Sequence, residues 1–232
     1  MEENPGFELF RDCLPFSLVE SLREEVERLK RADDRAGARN LFARSDAIRN
    51  LALSCELRAL LPSEEHRPVR SLLFDKTAEK NWPVAWHQDR SIAVASRKEI
   101  AGFGPWSEKT GIPHVEPPPS LLESIATLRI HLDPTPEDNG PLLVCPGSHQ
   151  LGFLDSTAIE EFSRGPIVTV SCQPGDVLRM SPLLLHSSKR SQSPSRRRVL
   201  HFEYARRSDL PKPLKWYEDA EADSSPIESS AI

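Results

Sequence analysis

The chain has 232 residues and a formal net charge of -5, is 38% hydrophobic and 28% charged, and holds 21 Pro against 10 Gly. Sixteen of those prolines fall between Pro83 and Pro213 and only two in residues 1–61, which excludes a long helical bundle and confines extended helix to the start. No apolar run is long enough to cross a membrane, so the composition reads as one globular domain with a sizeable core.

The charge is equally uneven. Residues 218–232 carry Glu218, Asp219, Glu221, Asp223 and Glu228 with no Lys or Arg, so the rest of the chain is neutral. It offers no global basic field for nucleic acid. The segment itself reads as a disordered acidic tail. Cys13, Cys55, Cys145 and Cys172 are scattered without a CxxC pair, and the first residues show no basic end followed by an apolar run. Both features predict a cytoplasmic protein with reduced thiols.

Residues 1–66 read as helical. Ser17 and Glu20 form a capping-box pattern ahead of Leu18, Leu22, Val26 and Leu29 at helical spacing. A second helix is predicted from Ser45 or Asp46 to Leu61, where Pro62 stops it. Between them GARNLFAR reads as a loop, with Arg39 and Asn40 facing either a substrate or solvent. From about residue 69 to 206 the pattern changes to eight short runs rich in β-formers: VRSLLFDK, WPVAWHQDRSIAV, ATLRIHLD, PLLVCPGS, GPIVTVSC, DVLRMSP, LLLHSS and RRVLHFEYA. Their hairpin-length turns predict an antiparallel jelly roll, mainly β with N-terminal helices, rather than a βαβ sheet. One connection is too long for a turn. Residues 96–124, with Phe103, Trp106, Lys109 and His114 as packing anchors, are expected to form a lid loop, and Trp106 to face the substrate. The whole is read as a single domain over residues 1–217.

A metal held on one face, with coordination positions left open, requires two His and one carboxylate. On a strand, residues i and i+2 share a face, so His-x-Asp supplies two of the three ligands. About 0.4 such triplets are expected by chance from the 7 His and 13 Asp in the chain, so the triplet by itself is weak. Three patterns compete: His87-Gln88-Asp89, His131-Leu132-Asp133 and His114-Val115-Glu116. Context favours the first. Asp133 runs straight into a Pro-rich turn and His114 lies in the long connection, whereas His87 follows a β-rich run and His186 on a later strand supplies a distal ligand. Arg197 follows eleven positions beyond His186.

The motif WHQD, the segment HLDPTPEDNGPLLVCPGSH, His186 and Arg197 together resemble the phytanoyl-CoA dioxygenase superfamily of Fe(II) and 2-oxoglutarate-dependent oxygenases. The resemblance spans roughly residues 69–206 and is most specific over Asn139–His149. It implies a double-stranded β-helix in which His87, Asp89 and His186 ligate Fe(II) and Arg197 pairs with the distal carboxylate of 2-oxoglutarate. A buried dicarboxylate favours a planar, two-pronged donor, which Arg supplies and Lys does not. Strand alternation allows only Arg197 of Arg196, Arg197 and Arg198 to look inward. Along Ile125–Asp133 the apolar residues alternate with Thr127, Arg129, His131 and Asp133. In this architecture that polar row lines the barrel mouth, making Thr127 a cosubstrate contact and His131 a substrate contact; Arg129, where other members often carry an aromatic residue beside 2-oxoglutarate, is either a second carboxylate or substrate anchor or a surface residue. Ser188 is in phase with His186, and Lys76 ends the strand preceding the metal strand, so both are candidates for the cosubstrate pocket.

The resemblance further implies that O2 and 2-oxoglutarate are consumed to give succinate and CO2 while a C–H bond of a small molecule is oxidised. Asp89, where related halogenases carry a small residue, favours hydroxylation or desaturation. The competing reading is a metal- or small-ligand-binding jelly roll without oxygenase activity.

Overall fold

A single long helix precedes a series of short strands in the computed structural model, which describes residues 4–32, 37–192 and 195–218. First come β1 (Phe7–Phe10), α1 (Phe16–Ala32), β2 (Gly37–Arg39), α2 (Asp46–Ala52) and α3 (Cys55–Arg58). The core follows as β3 (Arg67–Lys76), β4 (Val84–His87), β5 (Ile92–Ala93), β6 (Trp106–Lys109), β7 (Ile112–Val115), α4 (Pro119–Glu123) and β8 (Ala126–His131). It is completed by β9 (Leu142–Val144), α5 (Ser156–Arg164), β10 (Val168–Val170), β11 (Val177–Met180), β12 (His186–Ser188) and β13 (Arg197–Ala205). Apart from Glu218, the predicted acidic tail lies outside the described residues.

Every run of β-formers read from the sequence contains a strand. They assemble into a six-stranded sheet in the order β1-β11-β8-β13-β3-β2 and a four-stranded sheet in the order β10-β9-β12-β4, all pairs antiparallel. This is the jelly roll expected. The sequence misses β1 and β2. Gly37–Arg39 is not a loop but an edge strand, with Ala38 opposite Leu73; a Cβ at Gly37 would stand 2.9 Å from the Leu73 carbonyl oxygen, so only Gly permits the approach.

The helices cover the outer face of the large sheet. Val19, Leu22, Val26 and Leu29 of α1 are buried with Leu128, Leu200, Phe202 and Tyr204 of β8 and β13. The expected capping box does not form. The helix starts two residues earlier than that cap requires, at Phe16, the Pro15 carbonyl accepts from Val19 N–H at 3.1 Å, and Arg23 takes the Glu20 carboxylate. The second helix is also broken in two. Ser54 accepts from Leu57 N–H at 3.4 Å and so starts α3, because Ser is favoured at a cap and not inside a helix. Tyr204, fully buried, donates its hydroxyl to the Ala52 carbonyl at 3.0 Å and ties α2 to β13. Tyr204→Phe is expected to cost about 1–2 kcal/mol by orphaning that carbonyl, measured as a lower midpoint in urea at unchanged slope.

Residues 96–124 are a built element. β6 and β7 form a hairpin that pairs with β5 into a three-stranded sheet. Its turn places Thr110 and Gly111 at φ 55° and 77°, as a tight hairpin requires. Leu121 and Leu122 of α4 are buried with Val69, Ile92, Val115 and Trp216. His114 therefore sits on a strand, not in a loop.

Candidate metal centre

His87 ends β4 and His186 begins β12. The two are direct cross-strand partners with ring centroids 4.2 Å apart. Asp89, two residues on, returns to the same side and is fixed by its N–H donating to the Pro182 carbonyl at 2.9 Å. Gln88 points the other way. Its amide donates to the carbonyls of Leu183 at 2.7 Å and Gly152 at 2.9 Å and accepts from Leu154 N–H at 2.9 Å, which locks the segment between the two ligand positions.

Ligand atoms of His87, Asp89 and His186 all lie within 4.8 Å of one another. Asp89 Oδ1 is 3.9 Å from His87 Nε2, and Asp89 Oδ2 is 3.8 Å from His186 Nε2. These separations are too long for hydrogen bonds and suit donors sharing one ion at ~2.1 Å. The tautomers agree. His87 Nδ1 faces the Ala85 carbonyl and His186 Nδ1 the Leu184 carbonyl, each at 2.8 Å. A carbonyl only accepts, so both Nδ1 atoms carry hydrogen and both Nε2 atoms turn toward the carboxylate. Burial, against the pull of Asp89, pushes His186 down to about 4. Burial raises Asp89, but His186, His201, His87 and Arg70 outweigh it and hold the carboxyl below the usual range. Two imidazoles and one carboxylate on one face are the donor set of a first-row divalent metal.

The triad opens on a cavity with about 70 Å³ of water-accessible space, also lined by Phe74, Lys76, Arg129, Ser188 and Arg197. That is room for roughly five water-sized groups. Lys76 and Arg197 are cross-strand partners, and Lys76 Nζ donates to Ser188 Oγ at 3.0 Å. Arg197 donates to the Gly140 carbonyl, and Arg129 Nη1 donates to His201 Nδ1 at 3.1 Å. The Nε atoms of both arginines are buried without a partner. Burial and then Arg129 push Arg197 down to about 10. Two arginines and Lys76 thus converge where, among the described residues, Asp89 is the only carboxylate on the lining, an arrangement that calls for an anion.

The neighbouring arginines turn outward. Arg196 binds Asp75 at 3.0 and 2.9 Å, and Arg198 binds Asp133 at 2.8 Å through two nitrogens. That pair also rules out the second His-x-Asp triplet, since Asp133 is consumed by Arg198 while His131 turns its Nδ1 toward Thr135 Oγ1 at 3.3 Å. In the third, Glu116 is taken by Arg90 at 2.8 Å.

Four expected contacts lie elsewhere. Thr127 and His131 share the face of Arg129 but stand one alternation away on β8, ~7 Å along the strand, and neither lines the cavity. Trp106 packs half-buried in β6 against the apolar cluster of Val115 and Trp216. Arg39 lines a different cavity. The sequence reading missed Phe74, which strand alternation from Lys76 would have supplied, and also Gln88 and Glu203. It also left the NGP turn without a task. Gly140 sits at φ 61° with a would-be Cβ 2.7 Å from the Lys189 carbonyl oxygen, and its own carbonyl receives Arg197. Asn139 pins the turn to Ser195 Oγ at 2.7 Å.

A family model described as Phytanoyl-CoA dioxygenase (PhyH) matches residues 3–199. No curated protein matches the chain. Among solved structures, HygX from Streptomyces hygroscopicus with nickel and 2-oxoglutarate bound is 21% identical, covers 88% of this chain and 83% of its own, and superposes with a TM-score of 0.64. EctD from S. alaskensis in its apoform is 21% identical over 90% of this chain and 76% of its own, at 0.67. The epimerase SnoN, in complex with Fe3+, alpha ketoglutarate and nogalamycin RO, is 18% identical over 99% of this chain and 88% of its own, at 0.67. At these identities the likeness is one of fold.

Proposed function

We infer the reaction from one premise: this chain belongs to the phytanoyl-CoA dioxygenase family, and is therefore an iron- and 2-oxoglutarate-dependent oxygenase, an oxidoreductase. We propose that it hydroxylates an unactivated C–H bond of a small molecule, releasing succinate and CO2. The observation that carries this is the triad of His87, Asp89 and His186 facing Arg129, Arg197 and Lys76 across one cavity.

His87, Asp89 and His186 would hold Fe(II), which supplies the activation of O2 coupled to oxidative decarboxylation of 2-oxoglutarate. The protein's part is positional. Arg197, stiffened by Gly140, would grip the distal carboxylate, with Lys76, Ser188 and Arg129 around it. Phe74, Trp82 and Leu142 on the same lining exclude water. SnoN and SnoK are described as an epimerase and a carbocyclase, so the fold alone does not choose the outcome. Hydroxylation is proposed because Asp89 completes the ligand set and the described site leaves no place for a halide. The test is to incubate the Fe(II)-loaded protein with 2-oxoglutarate and O2 and measure succinate. Production above a His87→Ala control supports the reading, and no succinate together with no 2-oxoglutarate binding overturns it.

The pH dependence follows from Lys76. Burial first, then Arg197 and Arg129, push it down to about 7. A bound dianion favours the ammonium and raises that value, so above about pH 7 binding takes up a proton. Affinity for 2-oxoglutarate should therefore be flat below pH 7 and fall above it, by at most about tenfold per pH unit. Calorimetric titrations across that range should show the slope in the wild type and lose it in Lys76→Met.

A further inference from the structure

The inner face of β3 presents Arg70, Leu72, Phe74 and Lys76 in alternation. Phe74 and Lys76 line the metal cavity, whereas Arg70 and Leu72 line a second one, shared with Arg39, His114 and Tyr217. Arg39 is the cross-strand partner of Leu72 and so projects to the same interior face. The two cavities are neighbours, one alternation or ~7 Å apart along the strand.

The charges in the second cavity do not balance. Arg70 donates to Glu203 Oε1 at 2.8 Å and to the Ser91 carbonyl at 3.2 Å, and Lys109 Nζ donates to Ser91 Oγ at 2.9 Å. Glu203 also faces His201 Nε2 at 3.5 Å, and His201 receives Arg129 through Nδ1. This chain of contacts, from Arg129 on the metal cavity to Arg70 on the second, occupies Glu203 and Arg70 Nη1, while Arg70 Nε stays without a partner. It leaves Arg39 out. Arg39 Nη1 is buried with no partner, and Arg39 and Lys109 are both held below their usual values by burial first and then by Arg70. His114 offers no charge, since burial pushes it down to about 4, and Glu218 on the same lining is itself partnered. A half-buried guanidinium nitrogen without an acceptor is costly unless a ligand brings one.

Building on the oxygenase reading above, we propose that the substrate is a carboxylate whose anionic end is bound by Arg39 in this second cavity, with Lys109, held next to the lining through Ser91, adding a weaker attraction, while its reacting carbon lies beside His87, Asp89 and His186. Size selects the anion. The cavity offers about 10 Å³ of water-accessible space, about one water-sized centre. A flat carboxylate enters so small a space with less displacement of its walls than a tetrahedral phosphate or sulfate. The short step to the metal cavity limits the substrate to a few carbons between its carboxylate and the oxidised position.

The test uses protein loaded with Fe(II) and 2-oxoglutarate under argon, titrated calorimetrically with hexanoate and with uncharged hexanamide. Hexanoate should bind at least about tenfold more tightly than hexanamide, and Arg39→Met should weaken it by about tenfold or more, as loss of a buried charge partner does. Lys109→Met should weaken it less, and Arg39→Lys should restore part of the loss. Near-ultraviolet circular dichroism identifies any variant that fails to fold, in which case Lys109→Met alone decides. Equal binding of acid and amide, no hexanoate binding, affinity unmoved by both variants, or tighter binding of inorganic phosphate would each overturn the proposal. Failure of 2-oxoglutarate to bind the Fe(II)-loaded wild type would count against the oxygenase reading instead. Hexanoate titrated without 2-oxoglutarate would then still report on Arg39.

Discussion

Replacing His186 by Ala should lower succinate formation by about a thousandfold or more, with bound iron falling in parallel. The size follows from the ligand geometry. Removing a partner that only orients a ligand already costs about 10–100-fold in metal affinity, and His186 is itself one of three donors, buried at the head of β12 with its tautomer fixed by Leu184. The substitution also leaves Asp89 facing a single imidazole. Because His87 pairs across the ladder with His186, the variant should keep its strands and lose the site. Metal analysis beside circular dichroism separates the two. A His186→Ala protein that is folded, holds stoichiometric iron and turns over at wild-type rate would remove the triad from the mechanism.

Arg197→Ala should raise the KM for 2-oxoglutarate by about a hundredfold, in line with the 2–5 kcal/mol lost when one partner of a buried charge pair is truncated. Bound iron should be retained, since no triad residue donates to or accepts from Arg197. Arg197→Lys should recover only part of the affinity, because an ammonium cannot make two parallel bonds to a carboxylate. Lys76 and Arg129 remain in the variant and set the floor. A KM unchanged in Arg197→Ala would transfer the distal carboxylate to Arg129, whose guanidinium lies 5.2 Å over the Phe74 ring on the same lining.

The sheets were legible because their strands alternate cleanly and proline marks their ends. β8, with every residue buried, announces itself by Ala126, Leu128 and Ile130 on one face. β1, β2, β6 and β7 were not legible. They have three or four residues of mixed polarity, and their extended form is imposed by the strand alongside rather than by local preference. The triad showed in sequence because two of its members are i and i+2 on one strand. Context along the chain favoured the first of the three triplets, but what disables the other two, carboxylates engaged by Arg198 and Arg90, was not legible, since the Arg198–Asp133 pair joins segments more than sixty residues apart. Gln88 and Glu203 were hidden for the same reason, since each acts through a partner that only the sheet register supplies.

β1 pairs along its whole length with β11, from Phe7 opposite Met180 to Phe10 opposite Val177. It is thus the guard strand of the large sheet on that side. Were it pulled away, by trimming past Phe10 or by a bulky fusion at the start of the chain, β11 would offer an open row of amides and carbonyls to other copies. The failure would then be self-association and poor recovery of protein, not a defect in chemistry, even though the triad would be untouched. β1 therefore serves colloidal behaviour more than catalysis.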